Sequence, residues 1–281
     1  MSCAEALDFH GMPAIAWTSG DGARAVATLQ GAHIVSWTLP DGEEGLFLSE
    51  RSAFAAGRAI RGGIPVIFPQ FADRGPLVQH GFARTSAWRL AGVKVAGARA
   101  SATFVLESSA QTLALWPHAF RLELVATVGG PALEVGLRVV NAGRDAFSFT
   151  AALHTYLRVA DATSARLSGL RGVRYLTRGE RESAVEVREF VTAAVPIDRT
   201  YFSPPRSLRL DEARRAVRVE QHGFTDTVVW NPGREKSDAM ADMAHGSFLR
   251  MLCVEAAAVE PAVALAPGEA WAGAQALEVI A

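Results

Sequence analysis

Short runs of alternating or β-branched residues, each closed by turn-forming residues, recur from one end of this chain to the other. That rhythm constrains the fold more than any other feature, because alternation with a period of two buries one face of a strand and cannot form an apolar stripe on a helix. Ala14–Thr18 and Arg24–Leu29 flank Ser19-Gly20-Asp21-Gly22 and read as a hairpin. His33–Leu39 and Gly45–Leu48 flank Pro40-Asp41-Gly42, a second turn. Further strands are predicted over Ala87–Val95, Ala102–Glu107, Arg121–Val128, Leu133–Asn141 and Phe147–Val159. In the second half they are predicted over Val185–Phe190, Ser207–Leu210, Val217–His222, Thr227–Trp230, Phe248–Val259 and Trp271–Ile280. Only Asp238–Ala244 suggests a helical turn. Many short strands with regular turns predict an all-β fold, a sandwich of antiparallel sheets. No repeat, low-complexity tract or linker divides residues 1–281, so one domain is expected.

Composition narrows the function classes. Apolar residues make up 49% and charged residues 20% of the 281, as in an ordinary globular protein with a sizeable core. With 28 basic and 29 acidic residues the formal charge is −1, which offers no footprint for nucleic acid or an anionic membrane. Any anion must be held by a local site. Cys3 and Cys253 are too few for a disulfide framework, and no metal-ligand spacing is visible, so neither metal nor cofactor is expected. Cys3 is expected in a frayed terminus, and Cys253, in an apolar strand, as a small core residue. No leader peptide or membrane-length apolar stretch is visible, so the expected location is cytoplasmic.

One stretch breaks the rhythm. Ala59–Arg84, AIRGGIPVIFPQFADRGPLVQHGFAR, sets Gly62-Gly63, Pro65, Pro69 and Pro76 among large apolar residues, with Arg61 and Arg84 near its ends. Proline removes backbone donors, and paired glycines allow a close backbone approach. A long ordered loop is expected, and loops of this length in compact domains are usually binding loops. Arginine offers a planar fork suited to phosphate, although a lone arginine more often pairs with a surface carboxylate. Within Gln79-His80-Gly81, His80 fits two roles equally, lining a pocket or holding the loop backbone.

Two strands carry candidate acid–base groups. Along Phe147–Arg158 the odd positions are apolar, while Ser148, Thr150, His154, Tyr156 and Arg158 fall on the other face. His154 is therefore either an exposed strand histidine or a proton donor in a cleft. Glu255 shares the parity of Met251 and Cys253, where an isolated carboxylate is costly and its pKa rises unless it is paired. It is either a base or the partner of a nearby arginine. Glu260, of opposite parity, reads as structural. His33 reads as a satisfied core histidine; His10, His118, His222 and His245 read as structural or exposed. Trp230 and Trp271 are candidates for an aromatic wall, though tryptophan is more often core.

The wording of these blocks carries more. RGGIPVIFPQF (61–71) with QHGFAR (79–84), LHTYLRV (153–159), IDRTY (197–201), VVWNP (228–232), CVEAAAVEP (253–261) and APGEAWAG (266–273) together resemble the hexose-6-phosphate mutarotases, the glucose-6-phosphate 1-epimerase branch of the aldose 1-epimerase family. The blocks keep the family's order and span most of the chain. The resemblance implies a galactose mutarotase-like supersandwich whose concave face holds a sugar. It implies cofactor-independent interconversion of α and β hexose 6-phosphates, with His154 and Glu255 catalytic; a monomer is expected. Arg61, Gln79, His80, Arg84 and Asp198 would contact the sugar or its phosphate, and the Asp198 assignment is carried by the resemblance alone. Residues 233–247 keep only part of the family wording, and Thr177 stands where an acidic residue often sits; both bear on which sugar fits. An epimerase for unphosphorylated aldoses and a non-catalytic sugar-binding sandwich are the alternatives. A glycosidase fits less well, since it usually needs two flanking carboxylates and one is in view.

Overall fold

The computed structural model describes residues 4–213 and 215–280, and their strands form three antiparallel sheets. The first is a four-stranded meander, Ala4–Phe9, Met12–Thr18, Arg24–Thr28 and His33–Thr38. The second runs, edge to edge, through Ala184–Val185, Arg174–Thr177, Ile197–Phe202, Asp226–Asn231, Met251–Leu265, Phe147–Leu153 and Val66–Ile67, with Tyr156–Arg158 also paired to Met251–Leu265. The third, nine-stranded, runs from Phe190–Val191 through Arg166–Ser168, Ser207–Asp211, Ala216–His222, Ala270–Ile280, Ala132–Asn141, Phe120–Gly129 and Arg99–Glu107 to Arg89–Ala96.

Alternation decides which residues meet between the sheets. Phe120, Leu122, Leu124, Ala126 and Val128 are fully buried, while each intervening residue is only partly covered. They join Trp17, Trp37, Phe104, Phe149 and Val254 in the main core. Each such leucine or phenylalanine contributes about 1.5–3 kcal/mol on burial. The second sheet is covered on both faces. Along Met251–Leu265, Leu252, Val254, Ala256 and Ala258 enter the main core, whereas Met251, Cys253, Ala257 and Val259 join a smaller cluster with Phe71, Tyr156 and Trp230 on the opposite face. Glu255 falls in that second set by parity.

Several predicted boundaries move, each for a local reason. The expected strand Phe147–Val159 is broken at His154-Thr155, where the chain turns its hydrogen bonds toward the neighbouring loop: His154 N–H donates to the Pro65 carbonyl (3.0 Å) and Tyr156 N–H to that of Gly63 (2.9 Å). Ala59–Arg84 is the expected long loop, but Val66–Ile67 pairs as an edge strand with Ala152 and Leu153, and Ala83–Thr85 forms a 3₁₀ turn. Gly62 and Gly63 both have positive φ and lie so close to the Phe47 and Ile34 carbonyls that a Cβ would collide. Gly45–Leu48 makes only single bridges, and Phe248–Arg250 opens with a 3₁₀ turn before the strand begins at Met251. Val185 and Phe190 belong to different sheets. The helical turn lies at Gly233–Ala239, ahead of the predicted Asp238–Ala244, because the Asn231 side chain accepts from Gly233 N–H (2.9 Å) and fixes the start. The short helix Ala110–Leu115, capped reciprocally by Ser109 and Thr112, is an addition, as are the strands Ala4–Phe9, Arg166–Ser168, Arg174–Thr177 and Ile197–Phe202. Cys3 lies outside the described residues. Among the described residues no helix is long and apolar enough to cross a membrane.

His33 is a core histidine, as predicted, but satisfied at one nitrogen only: it is 1% exposed, its Nε2 donates to the Gly62 carbonyl at 2.7 Å, and its Nδ1 has no partner among the described residues. Burial first, and the Arg84 cation after it, push its pKa from 6.5 down to about 4. The unfolded chain therefore binds a proton in the window from pH 6.5 to 4 that the native state refuses, and stability falls as pH falls through it, by about 1.4 kcal/mol per unit. Replacing it (His33→Gln) is expected to flatten the dependence of unfolding free energy on pH by that one proton. Denaturant melts between neutral and mildly acidic pH check this, and equal slopes for both proteins would refute it.

Candidate active site

The face of the second sheet turned away from the main core forms the floor of a cavity of about 400 Å³. Cross-strand register builds that floor in two rows. Thr200 pairs with Val228 and Val228 with Glu255, while Asp198 pairs with Trp230 and Trp230 with Cys253, which in turn pairs with Tyr156. Leu153 pairs with Ala256 and Tyr156 with Cys253, so the unpaired His154 between them stands across from Glu255. The walls come from loops: Ala72–His80, Arg178–Glu180 and the helix carrying Lys236.

His154 Nε2 and Glu255 Oε1 lie 3.4 Å apart, and both residues are buried. The alternative of an exposed strand histidine is thereby removed. The His154 ring stacks on Tyr156 at 4.8 Å, and the His80 ring meets it edge-on at 5.5 Å, so its plane is fixed by packing. Burial, followed by His80 and the Arg61 and Arg84 cations, holds His154 well below the ordinary imidazole range. Burial, and then the charge of Asp198, raises Glu255 well above the ordinary carboxyl range. Together these environments disfavour charge on either member and favour a neutral imidazole beside a neutral carboxyl. Among the described residues the buried atoms His154 Nδ1 and Glu255 Oε2 have no hydrogen-bond partner.

Six of the seven predicted site residues line this cavity: His154, Glu255, Arg61, Gln79, His80 and Asp198. Arg61 donates through Nε and Nη2 to Asp242 Oδ2 (3.1 and 3.0 Å) and through Nη1 to the Tyr156 hydroxyl (2.9 Å). Arg61 is thus paired with a carboxylate, and it also faces the cavity with two N–H groups still available. His80 likewise fills both of its predicted roles, lining the cavity while its Nδ1 accepts from Ala72 N–H at 3.3 Å. Asp198 is half-buried, with its pKa raised by burial, and has Lys236 at 4.0 Å.

Arg84 is not among the lining residues; its Nη2 donates to the Gln79 carbonyl (2.9 Å), and its charge acts on His154 from there. Trp271 lies on the third sheet, packed against Phe149 and Phe224 with its indole N–H on the Gly223 carbonyl, so the aromatic wall is Trp230 alone of the two. Glu260 is at the surface, 3.7 Å from Arg174. Sequence reasoning missed Asp73, Arg74, Arg178, Lys236 and Asp242. Lys236 sits 5.7 Å over the Trp230 ring, and Arg178 reaches Asp73 (3.0 Å) across the cavity mouth. None of these has a spacing that singles it out; Arg74, inside the glycine/proline loop, was the most accessible. The fold also gathers ligand-capable atoms that sequence spacing hid: those of His154, Cys253 and Glu255 all lie within 4.8 Å of one another.

Comparison with known proteins agrees with this fold. Over 264 residues, 90% of this chain and 80% of the relative, the sequence is 36% identical to a protein of Cenchrus ciliaris provisionally named glucose-6-phosphate 1-epimerase. A crystal structure of a provisionally named mutarotase from Salmonella typhimurium superposes with a TM-score of 0.91 at 30% identity, covering 99% of this chain and 94% of that one. A galactose mutarotase-like protein from Clostridium acetobutylicum, at 16% identity, shares the fold (TM-score 0.78; 99% and 98% covered). The aldose 1-epimerase family model matches residues 13–278. This chain belongs to the aldose 1-epimerase family.

Proposed function

We propose that this enzyme interconverts the α and β anomers of hexose 6-phosphates, with glucose 6-phosphate as its leading substrate. The observation that carries the reading is the His154–Glu255 pair, 3.4 Å apart on the floor of a sugar-sized polar cavity. In the productive arrangement the carboxyl proton sits on His154 and Glu255 is ionised. Glu255 takes the proton of the anomeric hydroxyl while His154 gives its proton to the ring oxygen, and the bond between the anomeric carbon and that oxygen breaks. The open aldehyde rotates about C1–C2. Closure with the roles reversed returns both protons and yields the other anomer. Nothing is oxidised or reduced, and each positioned group supplies roughly 10²–10⁴-fold.

Cations at the rim support a phosphorylated substrate: Arg61, Arg74, Arg178 and Lys236 all border the cavity. Arg84 holds the Gln79 carbonyl and so shapes the wall. Phosphate near Arg61 and Arg84 also offsets the positive field that discourages protonation of His154. Tyr156 and Trp230 pack around the histidine and shape the sugar-facing surface. The ion pair of Arg61 with Asp242 favours a second reading, an epimerase of unphosphorylated aldoses in which that arginine is structural.

Magnetisation-transfer NMR on anomeric protons, with glucose 6-phosphate and glucose side by side, separates the readings. Faster exchange for the phosphorylated sugar alone is the expected result. Equal acceleration of both would favour the second reading, and none for either would overturn both.

A further inference from the structure

We propose that His154, Cys253 and Glu255 form a binding site for a soft divalent cation, zinc or cadmium, and that this ion and the sugar exclude one another. Cys253 and Glu255 are two residues apart on one face of the same strand, and His154 stands beside them on the neighbouring chain segment. Their ligand atoms lie within 4.8 Å of one another, and all three residues are buried. His154 and Glu255 border the cavity, which gives the ion a route in. The donors are available: Nε2 of His154 and Oε1 of Glu255 face each other at 3.4 Å, and Cys253 is a free thiol.

The donor set selects the metal. One nitrogen, one sulfur and one oxygen suit zinc or cadmium, whereas calcium and magnesium need several oxygens. With bonds of about 2.0–2.3 Å, donors around tetrahedral zinc stand roughly 3.3–3.7 Å apart. His154 Nε2 and Glu255 Oε1 are already at 3.4 Å, so the sulfur has the larger distance to close. Binding converts the thiol to a thiolate and the Glu255 carboxyl to a carboxylate, releasing both protons to water, with no change of oxidation state. The fourth position faces the cavity and takes water. A bound ion occupies the lone pairs assigned above to proton transfer, so it blocks turnover; that clause rests on the proposed function, whereas the binding itself does not.

Cadmium titration of the metal-free protein tests it through the ultraviolet thiolate-to-cadmium charge-transfer band. The expected result is a saturable band at one equivalent, kept in Cys3→Ser, lost in Cys253→Ser and reversed by excess glucose 6-phosphate. Cadmium NMR of the unsubstituted protein adds a readout that needs no variant: a shift typical of one sulfur with nitrogen and oxygen donors. In the exchange assay, zinc is expected to abolish turnover in wild type at about one equivalent, and a chelator to restore it. No band in wild type, a band that survives Cys253→Ser, or a shift without sulfur overturns the site. A band of the expected kind with zinc-insensitive turnover overturns the exclusion of sugar, and a band in a protein inactive on every sugar leaves the site standing while the proposed function falls.

Discussion

Replacing Glu255 with glutamine is expected to slow enzyme-catalysed anomerisation by about 10²–10⁴-fold while leaving the protein as stable as before or more so. The two halves of that expectation have one origin. The carboxyl group is 1% exposed, its Oε2 has no partner among the described residues, and burial already penalises its charge. An amide of nearly the same shape removes the penalty along with the base. A purely structural glutamate would behave in the opposite way, losing stability and keeping rate. Removing the imidazole in His154→Ala is expected to cost a similar factor. The double variant is expected to be little slower than the slower single one, because two groups that exchange one proton act as a unit. Rate constants from magnetisation transfer, set beside thermal melts, check all three proteins. A Glu255→Gln enzyme with wild-type turnover would remove this residue from the mechanism.

The Arg61→Ala variant is expected to lose about 10–10²-fold in kcat/KM on glucose 6-phosphate and almost nothing on glucose. The magnitude follows from one charge-assisted phosphate contact, worth about 1.5–3 kcal/mol. Asp242 fixes the guanidinium from one side and the Tyr156 hydroxyl from another, so the group that meets the phosphate is already in place before substrate arrives. Arg61→Lys keeps the charge without the fork and is expected to recover only part of the loss. Parallel losses on both sugars would instead make Arg61 a support for Tyr156 and, through it, for the stacked His154 ring.

Much of the sandwich was legible because its strands alternate. Phe120–Gly129 and Ala132–Asn141 follow the pattern almost residue by residue, and parity alone put His154 and Glu255 on the faces where they are found. What parity cannot reveal is depth. The face that carries His154 could as well have met solvent, and the segments folded over it, around His80, Arg178 and Lys236, make it a floor. Strands such as Ile197–Phe202 were missed because they are covered on both sides or paired at an edge, which erases alternation. The reach of Arg84 was misjudged for a related reason. Its place in the sequence brackets the loop symmetrically with Arg61, but a 3₁₀ turn at Ala83–Thr85 sends its side chain to the Gln79 carbonyl. Lys236, Arg178 and Asp242 approach the cavity from segments remote in sequence, joined to it by topology alone.

The division of the cavity into a floor of paired strands and a rim of loops bears on how such an enzyme diverges. Thr200, Val228 and Glu255 stand in one cross-strand row that ends at His154, where any shift of register would disturb three strands at once. Asp73, Gln79, Arg178 and Lys236 stand on connections that can lengthen, shorten or change sequence without moving that row. Inheritance can therefore keep the proton chemistry fixed while rewriting the sugar it acts on, one loop at a time.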